Sequence, residues 1–317
     1  MALHRFLERQ ESAGARVRLR GDQSILGRFR AQLLLAKESW LAEPLAIALG
    51  TRLALFVLAF AAQIVIPFHP GSSHTSFPAG YFLDGWTRWD AGWYISIVRS
   101  GYSYNPVDHT GSVAFFPLYP IVVRLASVVV RNDYAAGIVV SNLAFAGAVV
   151  ALYILVSSRF DRFVARCSAL AVCAFPFGLF FSAVYTESLF LLLAVLAFLF
   201  AERKQWLLAG LAGLLCATTR SVGLALAPSL FLIYLGQARY HWRSFGWSIL
   251  APALVPIGTF AYMAYLYLRF QDPLAWYKAA LCGSPKNSRA LVAGTPKRNV
   301  FAADQGAASS PTAGARE

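Results

Sequence analysis

Charge is scarce in this chain. Of its 317 residues only 14% are Asp, Glu, Lys or Arg, while 58% are hydrophobic and the mean hydropathy is +0.54. Soluble domains carry about 25% charged residues, so a water-soluble globular protein is excluded. Cysteine is scarce too. Cys167, Cys173, Cys216 and Cys282 have no ligand-like spacing and read as small buried residues. No His/Cys/Asp cluster has metal spacing, so no metal and no cofactor is expected. No internal repeat is present. No basic cluster accompanies a recognition motif, which argues against nucleic acid despite a net charge of +13. A conventional signal peptide is also missing. About forty residues precede the first apolar run, and that run continues past the weak Ala59-Phe60-Ala61 site, so it reads as a retained signal anchor.

What the chain does have is a series of long apolar runs, the mark of a polytopic all-α integral membrane protein. Residues 1–43 are basic, with Arg5, Arg9, Arg16, Arg18, Arg20, Arg28, Arg30 and Lys37, and read as a cytoplasmic segment facing anionic lipid. A first span covers about residues 44–67, with Arg52 near its inner end and able to snorkel. A long outer loop, about 68–133, follows. Its second half, residues 115–130, is short, carries Pro117, Pro120 and Arg124, and reads as an interfacial helix. If it does not span, Arg159, Arg162, Arg166, Arg203, Lys204, Arg239 and Arg243 all fall on the inner side, as charge bias favours. Further spans are expected at 134–157, 163–184, 187–201, 206–219, 221–236 and 246–268. The membrane domain is thus 44–280. The polar, small-residue tail at 281–317 reads as disordered.

The polar interruption from Asp84 to Pro120 is the focus. Trp86, Trp89 and Trp93 crowd around Asp90, and such aromatics suit a membrane–water boundary. Asp90 has two readings. Thr87-Arg88-Trp89-Asp90 fits a capping box, from which Trp89, Trp93 and Ile97 would form one stripe lying on the bilayer. Alternatively Asp90 is a general base that takes the proton of an incoming hydroxyl. One carboxylate suffices when the leaving group is a phosphate ester, whereas glycosidases need two for an alkoxide. A cation near the departing phosphate helps, and Arg220 is the candidate unless it merely snorkels. Glu187 is either a first-turn acid favoured by the helix dipole or an acceptor for sugar hydroxyls. Asp84, Asp108, His74 and His109 read as loop residues. The Asp90 loop, Tyr185-Thr186-Glu187-Ser188, Thr218-Thr219-Arg220-Ser221 and Gln271-Asp272-Pro273 are all expected on the outer face.

WDAGWY (89–94), AFFPLYP (114–120), YTESLF (185–190), TRSVG (219–223) and DPLAW (272–276) resemble the motifs of the PIG-V mannosyltransferases, relatives of the second mannosyltransferase of glycosylphosphatidylinositol assembly. The resemblance runs in motif order over about residues 80–278. It implies the GT-C class: a multispan helical bundle with interfacial helices in the first outer loop and an outward-facing site. It also implies a polyprenyl- or dolichyl-phosphate mannose donor, inversion at the anomeric carbon, and a glycolipid or glycan acceptor. By position Asp90 matches the first-loop acid this class uses for catalysis. Trp89, Trp93, Tyr94, Tyr185, Glu187, Arg220 and Asp272 are the substrate-binding candidates. Family members continue with further spans after the DPLAW-like loop, whereas this chain turns polar, so a C-terminally truncated, inactive member is one alternative. A lipid transporter or flippase is another, but it would need paired polar residues near the bilayer midplane in repeated halves. Ala- and Arg-rich composition points to a bacterial plasma membrane, or to the endoplasmic reticulum if the source is eukaryotic.

Overall fold

The structure is a computed structural model that describes residues 41–65, 81–239 and 246–282. Most of the basic N-terminal segment, His74, the end of the first expected span and nearly all of the polar tail lie outside those residues. In chain order the helices are α1 (Ala42–Val65), α2 (Tyr81–Asp84), α3 (Ala91–Ser100), α4 (Leu118–Val130), α5 (Asp133–Ser157), α6 (Arg162–Cys173), α7 (Glu187–Glu202), α8 (Trp206–Ala217), α9 (Leu226–Gln237), α10 (Leu254–Phe270) and α11 (Ala275–Cys282). Among the described residues the sheet is one antiparallel pair, β1 (Tyr104–Asn105) with β2 (Thr110–Gly111).

Among the described residues, three stretches are long and apolar enough to cross a bilayer: α1, α5, and residues 247–270, where a 3₁₀ run leads into α10. At 1.5 Å per residue, 24 residues reach about 36 Å, more than the roughly 30 Å hydrocarbon core. Helix α4 has 13 residues, or about 20 Å, and is too short to cross, as Pro117 just before it and Pro120 and Arg124 within it suggest. Asn132 then caps α5, accepting a hydrogen bond from the Ala135 amide at 3.0 Å.

One expected span needs correction. The run at 163–184 is not one helix. Helix α6 stops at Cys173, the chain passes through Pro176 without helix, and a 3₁₀ turn (Gly178–Phe181) follows. Proline lacks the amide and clashes with the preceding turn, so hydropathy continues where the helix cannot. The run at 221–236, by contrast, is one continuous apolar helix, Ser221–Gln237, whose first turn, Ser221–Ala225, is 3₁₀ before α9.

Ion pairs sort the two ends of the bundle. At one end Glu43 of α1 accepts from Tyr153 of α5 and pairs with Arg166 of α6, while Arg159 pairs with Glu202 at the end of α7. At the other end the starts of α5 and α7 meet. There the Ser141 hydroxyl donates to the Tyr185 carbonyl at 3.4 Å and stands 2.9 Å from the Tyr119 hydroxyl. Helices α5 and α7 therefore run in the same direction, with α6 and the irregular stretch at 174–186 returning between them. Close approach at this end depends on Gly137. A Cβ there would lie 2.7 Å from Val184 Cγ1. Small residues likewise bring α10 onto α8, where a Cβ on Gly258 would stand 2.4 Å from the Leu214 carbonyl oxygen.

Arg52 corrects another expectation. It does not snorkel. It sits ten residues into α1, is 6% exposed, and donates to the carbonyls of Gly178 at 2.7 Å and Cys173 at 2.9 Å.

Candidate active site

The site lies at the end of the bundle where α5 and α7 begin. Its floor is the aromatic core around Trp86, Tyr94, Tyr119, Val184 and Tyr185. Trp86 is not the interfacial tryptophan its sequence position suggests. It is 1% exposed, packs on Phe56 of α1 with ring centroids 4.2 Å apart, and its carbonyl accepts from the Val184 amide at 3.0 Å. That backbone bond ties the first loop to the segment before α7.

The capping box does not form. The Thr87 hydroxyl donates to the Asp84 carbonyl at 3.1 Å, and the helix opens at Ala91. Asp90 occupies the N-cap position itself, with helical backbone angles and no side-chain capping bond. Its backbone is held instead by Tyr185. The Asp90 amide donates to the Tyr185 phenol oxygen at 3.0 Å, and that phenol donates to the Arg88 carbonyl at 3.2 Å. Trp89 between them has a φ of 55°, a left-handed conformation that costs a bulky residue about 1–3 kcal/mol and gathers at functional sites. The expected Trp89–Trp93–Ile97 stripe is broken as well. Trp89 precedes the helix and Ile97 is buried, while Trp93 stacks near Phe115 at 6.1 Å.

Trp89, Asp90, Phe180, Tyr185 and Glu187 line one cleft of about 410 Å³. Glu187 is the first residue of α7 and forms an ion pair with Arg220, which stands just before the 3₁₀ turn after α8. Arg220 engages Glu187 through Nη1 alone, and Glu187 Oε2 is buried without a partner among the described residues. Burial raises the pKa of the Asp90 carboxyl above its ordinary 3.8, and the nearby Arg220 charge pulls it partly back. Burial also pushes the Tyr185 phenol up to about 12, so it stays protonated and able to donate. Tyr94 lies below, its hydroxyl 3.4 Å from that of Thr186.

Asp272 belongs elsewhere. Its carboxylate accepts from Lys278 at 2.7 Å, the Leu274 amide at 3.1 Å and the Tyr104 hydroxyl at 3.2 Å, and Tyr104 also meets His109 Nδ1 at 2.8 Å. This clasp holds the β1–β2 hairpin against α11. Trp93 also does not line the Asp90 cleft. Sequence reasoning missed Phe180, an aromatic inside an apolar run, because nothing in its neighbours distinguishes it. Among the described residues no group of His, Cys, Asp and Glu could hold a metal ion.

Comparison with known proteins decides the lineage. The family profile described as Mannosyltransferase (PIG-V) matches residues 71–242, more than half of the chain. This chain belongs to the PIG-V mannosyltransferase family. Among curated relatives, it is 30% identical over 205 residues to the mouse GPI alpha-1,6-mannosyltransferase 2, covering 57% of this chain and 40% of the mouse protein. It is 34% identical over 149 residues to GPI mannosyltransferase 2 of Cryptococcus neoformans, covering 43% of this chain and 34% of that protein. The chain thus spans about 40% of the length of the mouse relative. No solved structure matches it. The PIG-V match encloses Trp89, Asp90, Phe180, Tyr185, Glu187 and Arg220, the residues of the cleft and its ion pair, and leaves Asp272 outside.

Proposed function

We propose that the cleft transfers mannose, with inversion, from a polyprenyl- or dolichyl-phosphate mannose to a hydroxyl of a glycolipid or glycan on the outer face of the membrane. The observation that carries this reading is the Asp90 carboxylate. It stands in the cleft, free of any capping duty, with an arginine-bearing ion pair beside it. In the reaction the acceptor oxygen attacks the anomeric carbon and Asp90 takes its proton. The bond from that carbon to the phosphate oxygen breaks, and the phosphate leaves with the electron pair. Arg220 meets that charge with the guanidinium nitrogens not given to Glu187. Glu187 Oε2 accepts from a sugar hydroxyl, which would answer its lack of a partner.

A second cleft of about 420 Å³ supports a lipid-linked donor. Its walls are mainly apolar residues of α3, α4 and α10, with Arg124 of α4 among them, and it includes Thr218, two residues before Arg220. A hydrocarbon chain fits such a lining. The test is transfer of radiolabelled mannose from polyprenyl-phosphate mannose in membranes carrying the chain or its Asp90→Asn variant. The parent transfers and the variant loses activity by about 10²–10⁴, the usual worth of a general base. Full activity in the variant refutes the assignment of Asp90.

A further inference from the structure

The segment carrying Tyr185 is unusual for a membrane protein. Between Cys173 and Glu187 the backbone is largely irregular, and it returns from α6 toward the cleft beside α1 and α5. Irregular backbone at such depth is tolerated only where its polar groups find partners inside the protein. Arg52 supplies them. Its two terminal nitrogens take the carbonyl that ends α6 and the carbonyl that starts the 3₁₀ turn, and its guanidinium lies 4.3 Å from the centre of the Phe145 ring. A cation at a helix C-terminus is also favoured by the helix dipole.

The same nitrogen that reaches Gly178 stands 3.5 Å from the Ser182 hydroxyl. Ser182 donates to Asn142 Oδ1 at 3.0 Å, and Asn142 Nδ2 returns a bond to the Ser182 carbonyl at 3.3 Å. Three residues on is Tyr185, whose phenol holds the Asp90 amide. An unbroken series of hydrogen bonds and short backbone therefore runs from the first span to the residue assigned as the base.

We propose that Arg52 is a positioning residue for the transfer reaction: it fixes the 174–186 segment so that the Tyr185 phenol holds Asp90 in place. The inference rests on the mannosyltransferase reading for its activity arm only. It assigns α1, a span that precedes the matched family region, a part in building the cleft.

The test uses the full chain in detergent micelles and in membranes. Arg52→Lys keeps the charge but reaches fewer carbonyls. Hydrogen exchange in peptides spanning residues 84–94 is expected to quicken about tenfold, because the Asp90 amide loses its fixed partner. Phe145→Leu removes the ring under the guanidinium and is expected to act in the same direction, about threefold, and it serves if Arg52→Lys does not accumulate. In the activity arm, Arg52→Lys lowers transfer about tenfold. The combination with Tyr185→Phe is no worse than Tyr185→Phe alone, since both act through one contact. The acidic limb of the pH–rate profile moves down in Arg52→Lys, as Asp90 becomes better solvated. A merely structural role would lower the amount of active protein and leave that limb in place. Unchanged exchange at 84–94 in both variants, or additive losses in the double variant, overturns the inference. If the parent chain transfers no mannose, the exchange measurements still decide the part played by Arg52, and the mannosyltransferase reading fails separately.

Discussion

Replacing Asp90 by alanine separates the two duties that its sequence context allows. As a side-chain cap, the aspartate would contribute about 0.5–2 kcal/mol to the fold, and alanine would forfeit that. The structure gives the carboxylate no capping bond, so the expected change in stability is close to zero. Burial raises the carboxyl pKa in the folded chain, so its proton is held more tightly folded than unfolded. Its contribution to stability is then fullest at low pH and declines as pH rises through the folded value. Removing the carboxylate at neutral pH therefore costs the fold nothing and relieves it slightly. Catalysis behaves in the opposite way. A general base must be ionised, and its loss costs about 10²–10⁴ in rate. The assay is paired: mannose transfer and thermal unfolding of the same purified full chain, parent against Asp90→Ala. Activity is expected to collapse with the unfolding midpoint unchanged or slightly higher. A midpoint lowered by about 2–4 °C, the equivalent of about 1 kcal/mol for a domain of 150–250 residues, with activity lost only in proportion, would refute the reasoning and restore the cap.

Other expectations follow from the same geometry. Transfer should decline on acidification at a pH above the ordinary carboxylate value of 3.8, since burial raises the Asp90 carboxyl; a profile flat down to pH 4 contradicts an Asp90 base. Arg220→Met leaves the Glu187 carboxylate without its cation, and should cost about 1–2 kcal/mol in chemical denaturation, less than a fully buried pair because the Arg220 side chain is 43% exposed. Gly137→Ala forces Val184 to move and should cost about 1–3 kcal/mol, with partial recovery on adding Val184→Ala; no recovery removes Val184 as the cause. Asp272→Asn should lower thermal stability while changing the turnover of folded enzyme less than threefold, since its clasp lies apart from the cleft. Although burial opposes it, hydrogen bonds from Lys278, the Leu274 amide and Tyr104 hold the Asp272 carboxyl below its ordinary value, so the clasp should survive from neutral pH to about pH 5 and weaken only as pH falls through that lowered value.

What was legible in the residues, and what was not, divides along the range of the interactions. Apolar runs place α1, α5 and the 247–270 stretch almost to the residue, because lipid demands long uninterrupted helices and composition alone records that demand. Hydropathy cannot distinguish a helix from irregular backbone of the same apolarity, so 163–184 reads as a span although α6 ends after twelve residues. The convergence of Asp90, Tyr185, Glu187 and Arg220 at one end is legible because each polar motif interrupts an apolar run, and such interruptions fall where helices end. Asp272 interrupts one too, yet its partners Tyr104 and Lys278 draw it into the hairpin clasp, and only three-dimensional packing reveals that preference. The capping box fails for a local reason of the same kind. Thr87 has a nearer carbonyl to satisfy, at Asp84, and the helix starts three residues later than the pattern assumes. Arg52 marks the limit of sequence reading. A lone arginine in a span suggests snorkelling, because its partners here are backbone carbonyls more than a hundred residues away and backbone has no sequence signature. The irregular segment and the buried cation explain each other. A break in the helix leaves carbonyls that must be satisfied away from water, and a guanidinium with several donors can satisfy two of them at once. Through that pairing the chain places Tyr185, and with it Asp90, by a contact made near the middle of its first span.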